Sequence, residues 1–233
     1  SAYYPQAKLF EGATYVREFS AKPAVEAFKA VLRASEDSQD PKVKPFKDLA
    51  WGLASRGIAV LRYDKRTYIH AAKFDEKLTS ALTVQEETID DALAALQLLY
   101  NTKEIDPQRV CLLGHSLGAT LAPRIAAQDD QIAGLVILAG ITRPLEDVAL
   151  EQVAYLAGLD GEVTEADQDS IEALQTQVAR VKAPDLSAKT AAEDLPLSIP
   201  AAYWLDLRGY QPAEAAKALS LRMLILQGER DYQ

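Results

Sequence analysis

One cysteine, two histidines and one methionine are all that 233 residues contain of those three types. A single cysteine, Cys111, excludes a disulfide within the chain. It leaves the compartment open, because exported enzymes of bacterial type also do without disulfides. Two histidines, His70 and His115, are too few for a His-rich metal site. Positive charge is scarce as well: 25 Lys and Arg stand against 34 Asp and Glu, a formal charge of −9. A nucleic-acid-binding surface needs a basic stripe, so that class of partner is excluded. Long apolar runs are missing too. The longest, residues 133–141, falls well short of the ~20 residues a membrane-spanning helix needs.

What is there is the composition of a globular protein, 48% hydrophobic and 25% charged. The length suits one large α/β domain. Residues 1–44 carry the least pattern; Val25, Phe28, Val31 and Leu32 predict a short helix over 23–35, followed by a polar loop. From Pro45 the signal sharpens. Phe46, Leu49, Ala50 and Leu53 share a helical face that Gly57 terminates. Residues 58–63 (IAVLRY) form a nearly continuous apolar run, the pattern of a buried parallel strand. After a polar loop, Thr83 and Glu86 make a capping-box pair ahead of a helix that buries Val84, Ile89, Ala92, Leu93, Leu96 and Leu99. Further strands are predicted at 110–113, 135–139 and 223–227, with a helix over 117–128 between the first two. Residues 143–219 contain no convincing strand and at least two helices, near 147–157 and after Thr164.

Strands alternating with helices predict a mainly parallel sheet covered on both faces. Residues 1–142 are expected to form its first part and 220–233 its return, with 143–219 inserted as a helical cap. The insertion leaves from a strand's C-terminal end, where open α/β sheets place their sites.

The chemistry concentrates at Gly114-His115-Ser116-Leu117-Gly118, which fits G-x-S-x-G between a strand and a helix. That context forces the central residue into a sharp turn and lifts the serine hydroxyl above the sheet edge, with glycines expected on both flanks to avoid a clash. The backbone N–H of Leu117 opens the helix and is placed to donate to a developing oxyanion. Ser116 capping a tight turn is the plainer alternative. A serine needs a base, and the base needs a carboxylate. Where the chain order is serine, acid, histidine, the acid is Asp231, with Glu229 its competitor. The sequence ends at Gln233, and the histidine is expected beyond it. His70 reads as an exposed loop residue.

The blocks PFKDLAWGLASRGIAVLRYDKRT, GHSLGATLAPRIAA, LVILAGITRPLED and LILQGERDYQ together resemble the bacterial α/β-hydrolase esterases related to the prolyl-oligopeptidase and dienelactone hydrolase branches, over residues 45–233. The resemblance implies the α/β-hydrolase fold with a helical cap, and hydrolysis of small-molecule carboxylic esters with short acyl chains. It implies Ser116 as nucleophile, Leu117 as a backbone oxyanion donor and Asp231 as triad acid. Relatives carry a glycine-bearing loop for the second oxyanion donor, but residues 31–38 (VLRASEDS) hold no glycine.

His115, Tyr203 and Trp204 are candidates to line the substrate pocket, with cap core as the alternative for the two aromatics. Arg62, Asp64, Lys65 and Arg66 are expected to form an ion-paired network. Asp90-Asp91 and Asp129-Asp130 read as solvated positions and Cys111 as inert core. No phosphate loop, dinucleotide fingerprint or zinc motif occurs, so no metal or organic cofactor is expected. A thioesterase, a peptidase and a catalytically silent binding protein remain open alternatives, and so does a homodimer.

Overall fold

A computed structural model describes residues 8–9, 45–69, 80–159 and 161–228. The expected helix over 23–35, the glycine-free stretch 31–38, His70, Glu229 and Asp231 lie outside them.

Three five-residue strands form a parallel sheet in the order β3 (Cys111–His115), β4 (Gly134–Leu138), β5 (Arg222–Leu226). Their register is level, with His115 opposite Leu138 and Leu138 opposite Leu226. All three strands therefore end on one line, and whatever follows them emerges at one edge. Side chains alternate across the sheet with period two. Leu112, Leu135, Ile137 and Met223 face the larger core, built with Ile89, Ala92 and Leu96, and with Leu121, Ala122 and Ile125 of the helix α4 (Leu117–Ala126). Leu113, Val136, Leu138, Leu224 and Leu226 face the opposite side, where Leu49 and Leu53 of the helix α1 (Pro45–Ala54) cover them. Apolar material on both faces is why these strands read as continuous hydrophobic runs.

The helix α1 stops as expected, with Gly57 at φ 78. Phe46, however, is half exposed rather than on the buried face. The run at 58–63 also departs from expectation. Only Leu61–Arg62 forms a strand, β2, and it pairs antiparallel with β1 (Lys8–Leu9). Ile58 and Val60 still point into the α1 cluster. The apolar signal was therefore one of packing, not of membership in a parallel ladder. Cys111 is exposed, not core: its residue lies on β3, which has no strand beyond it in the described three-stranded sheet.

After β2 comes the short helix α2 (Arg66–Ile69). The next helix begins with a π-helical turn, Gln85–Ile89, before it continues as α3 (Asp90–Tyr100). Thr83 and Glu86 do pair, the Thr83 N–H donating to Glu86 Oε2 at 3.0 Å. Arg66 grips Asp91 with two hydrogen bonds, 3.0 and 2.5 Å long. Asp91 is 2% exposed, so it is no solvated position. Asp129 is buried too, its Oδ1 accepting from the Gln131 N–H. The expected ion-paired network after β2 is present as Arg66–Asp91 and Lys65–Glu87.

Residues 143–219 are helical: α5 (Leu145–Ala157), α6 (Glu165–Lys182), α7 (Ala201–Leu207) and α8 (Pro212–Lys217). A full capping box, Thr164 with Asp167, starts α6. Val181, Leu186, Leu195, Ala201 and Trp204 form a separate small core among these helices. Among the described residues no helix is long and apolar enough to cross a membrane.

Two outcomes follow from the buried polar groups. Asp91→Asn strands the Arg66 guanidinium. Breaking a buried pair costs about 3–5 kcal/mol, and the partial exposure of Arg66 puts the expected loss at the lower end, to be read by urea unfolding. Burial, with help from the Asp91 carboxylate, pushes the Tyr63 phenol up to about 12 from an ordinary 10. A raised folded-state value means that its contribution is complete below pH 10 and is lost as pH climbs from 10 to 12. Tyr63→Phe should therefore flatten the alkaline fall in melting temperature; a fall parallel to that of the wild type would contradict this.

Candidate active site

The strand β3 enters a turn that glycine alone permits on one side. A Cβ on Gly114 would lie 2.2 Å from the Gly118 carbonyl oxygen. This close approach folds α4 back over the strand it leaves. Between them Ser116 sits at φ 54, ψ −120, a conformation an L-residue rarely adopts. Holding it there costs of order 1–3 kcal/mol, and surrounding bonds must over-determine it. Three such bonds are present. The Ser116 N–H donates to the Leu138 carbonyl at 2.9 Å, and the Ser116 carbonyl accepts from the Thr120 N–H at 2.9 Å and from Thr120 Oγ1 at 3.0 Å. Leu117 is the first residue of α4, so its N–H has no partner within the helix and stands at the positive end of the dipole.

A cavity of ≈ 320 Å³ opens beside Ser116, bordered by His115 and by Ile141, Leu145, Val148, Leu197 and Trp204 among others. Its walls are mainly apolar, with the Gln152 side chain adding a polar element. Leu197 stands at φ 57 and is largely exposed. A larger cavity of ≈ 660 Å³ lies where α4 ends and the chain enters β5, at the other edge of the sheet, and it contains none of the elbow residues.

A strained serine between strand and helix, with a free helix-opening N–H and an apolar cavity beside it, is the arrangement of a nucleophile elbow. Residues 43–232 match the Alpha/beta hydrolase family. The chain belongs to that family. It is also 40% identical over 190 residues to the esterase EstD of Thermotoga maritima, an alignment covering 82% of this chain and 42% of the relative. The chain thus spans less than half the length of the curated relative it matches.

In this α/β-hydrolase the candidate residues are placed unequally. His115 borders the cavity and meets Phe46 edge-on, ring centroids 5.3 Å apart. Trp204 also borders the cavity; the residue is 1% exposed and its indole N–H has no hydrogen-bond partner among the described residues. Leaving a buried donor unpaired costs about 1–3 kcal/mol. Tyr203 does not reach the cavity. It turns to the main core, and its hydroxyl donates to Glu87 Oε2 at 3.0 Å. Burial and the Glu87 carboxylate raise that phenol well above the ordinary tyrosine value. Asp231 lies outside the described residues. It follows β5 in the sequence, and β5 ends level with β4 at the edge where Ser116 emerges. Among the described residues no group of three or more His, Cys, Asp or Glu is placed to hold a metal ion.

Sequence reasoning passed over Thr120. It is 5% exposed, its Oγ1 accepts from the Ile141 N–H at 3.1 Å, and its carbonyl accepts from the Tyr210 hydroxyl at 2.8 Å. One side chain thus ties the turn at Ser116 to the segment that leads into α5. The cavity face of α5 was available as Leu145, Val148, Ala149 and Gln152, spaced i, i+3, i+4, i+7. Nothing in the sequence marked Leu197, whose place depends on a left-handed backbone.

The expectation of glycine on both flanks needs correction: a Cβ on Gly118 meets nothing within 4 Å among the described residues. The two positions should therefore part company. Gly114→Ala is expected to cost about 3 kcal/mol or more, since backbone must move to admit the methyl. Gly118→Ala should range from neutral to about 1 kcal/mol stabilising, as alanine is the better helix former. Paired denaturation curves of the two variants check this.

Proposed function

We propose that this chain hydrolyses carboxylic esters with short acyl chains through an acyl-enzyme on Ser116. The observation that carries the reading is the strained Ser116 backbone beside a largely apolar cavity of ≈ 320 Å³, near the lower limit for small-molecule sites. The name of the Thermotoga relative, an esterase, supports ester as the substrate class.

In this reading Ser116 Oγ attacks the ester carbonyl carbon and gives its proton to an imidazole base. The carbonyl oxygen becomes an oxyanion, held by the Leu117 N–H; one such donor is worth ~10²–10³ in rate. The tetrahedral intermediate collapses, the C–O bond to the alcohol breaks, and the imidazolium protonates the departing alkoxide. Water then attacks the acyl-enzyme with the same base accepting its proton, and the carboxylic acid leaves as Ser116 regains its hydrogen. Asp231 serves as the carboxylate that orients the imidazole and supports its positive charge. The acyl chain occupies the space between Ile141, Leu145, Val148 and Trp204, with His115 on the side toward Phe46. Within the family we place the chain with the prolyl-oligopeptidase and dienelactone hydrolase branches, on the sequence blocks that flank the elbow.

A fluorophosphonate probe tests the nucleophile in the full chain. Labelling is expected at Ser116 and is lost in Ser116→Ala, which should also lower kcat on p-nitrophenyl acetate by about 10⁵–10⁶. A folded chain that does not label is a binding protein instead. A series of p-nitrophenyl esters, thioesters and anilides then tests the class: preference for the thioester, the anilide or long acyl chains would contradict the short-chain esterase reading.

A further inference from the structure

The wall of the cavity formed by Trp204 belongs to α7, a helix of seven residues. A helix of that length has little stability of its own, so its position is set by what holds it. Its ties all run to the main core. Tyr203 Oη donates to Glu87 Oε2 at 3.0 Å. Asp206 Oδ1 accepts from Arg124 of α4 at 2.7 Å, and Asp206 Oδ2 accepts from the Gln85 N–H at 3.2 Å. On its other side α7 packs Trp204 against Val181, Leu186 and Leu195.

Glu87 is the junction. It sits on the π-helical turn, its side chain is 13% exposed, and it accepts from three side chains on two segments. Lys65 reaches Oε2 at 3.3 Å and Thr67 Oγ1 reaches Oε1 at 3.1 Å, both from the segment after β2. Tyr203 completes the set from α7. Neither Glu87 nor Tyr203 borders the cavity. Adjacent residues of α7 therefore do different work: Tyr203 is anchored in the core while Trp204 faces the acyl space.

We infer that Glu87 and Tyr203 are positioning residues that set acyl-chain selectivity, by fixing how far the Trp204 wall stands from Ser116. This rests on the proposed use of the cavity as the acyl pocket. A wall pinned by directional bonds admits one chain length well. A released wall adapts, and discrimination between chain lengths falls. Pockets that sense single methylenes discriminate by about 10–200-fold, so partial release should be readily measured.

The test compares p-nitrophenyl acetate, butyrate and hexanoate in the full chain. Tyr203→Phe removes only the hydroxyl, and Glu87→Gln keeps the side-chain shape. Each should reduce the ratio of kcat/KM between the best and the worst ester by about fivefold, mainly through KM. The double variant should lose little more than either single one, as coupled residues do. Asp91→Asn, which breaks the neighbouring pair with Arg66 and removes no bond to Glu87 or α7, should lower stability and leave the ratio in place. If Tyr203→Phe does not fold, Thr67→Val withdraws a donor from the other oxygen of Glu87 and is expected to shift the ratio in the same direction. An unchanged ratio in the folded variant, or an equal change in Asp91→Asn, overturns the inference. Val148→Trp, which fills the cavity, separates the two levels: if it does not disfavour hexanoate, the acyl-pocket reading itself is wrong, whatever Tyr203 does.

Discussion

The distance between the backbone at Gly114 and the carbonyl of Gly118 sets the terms for the rest of the molecule. At 2.2 Å from a would-be Cβ there is room for hydrogen and nothing more. That contact lets α4 cross back over β3 within one residue, and the residue caught between them must take up a strained backbone. The strain is tolerable because the level register of the sheet brings the Leu138 carbonyl beside the Ser116 N–H, and because Thr120 closes on the Ser116 carbonyl from the next turn. The strained geometry at Ser116 is thus a by-product of close packing between backbone atoms, braced by the Thr120 side chain from the next turn of the same helix.

The helices of residues 143–219 meet the core through both apolar packing, with Tyr203, Leu207 and Tyr210 against the main cluster, and polar contacts. Thr120, Arg124, Glu87 and Gln85 on the core side bond to Asp206, Tyr203 and Tyr210 of those helices, and Thr120 also to Ile141 just before them. Such bonds are directional and partly shielded from water, which makes them stronger in specifying position than in adding net stability. The exposed ion pairs among the helices of residues 143–219, Arg143–Glu151 and Arg180–Asp185, contribute little by comparison.

Much of this was legible in the residues. The central strands, the elbow and the helices α1, α4 and α5 follow from apolar runs and helical periodicity, because each is stabilised by contacts that its own pattern announces. Legibility failed where a residue's environment is supplied by a distant segment. Asp91 reads as a surface acid until Arg66 is folded against it. Tyr203 and Trp204 are neighbours of similar character, and only the placement of a short helix sends one to the core and the other to the cavity. Leu61–Arg62 looked like an interior strand because apolar content reports burial, whereas direction of pairing depends on Lys8–Leu9 more than fifty positions earlier. For the candidate site, the strained serine and the helix-opening Leu117 N–H are local properties of five residues; Thr120 and Leu197 become visible only once the chain has closed on itself.

The π-helical turn has an evolutionary corollary. Between Gln85 and Ile89 the Asp90 N–H reaches back five residues to the Gln85 carbonyl, so the turn carries one residue more than a regular coil would. Each residue of an α-helix advances the next by about 100°. A single-codon deletion inside this bulge would therefore swing the segment before it around the helix axis, carrying Glu87 away from α7 while Asp91 keeps hold of Arg66. One amino acid gained or lost there would shift Glu87 against Tyr203 and leave the turn at Ser116 untouched.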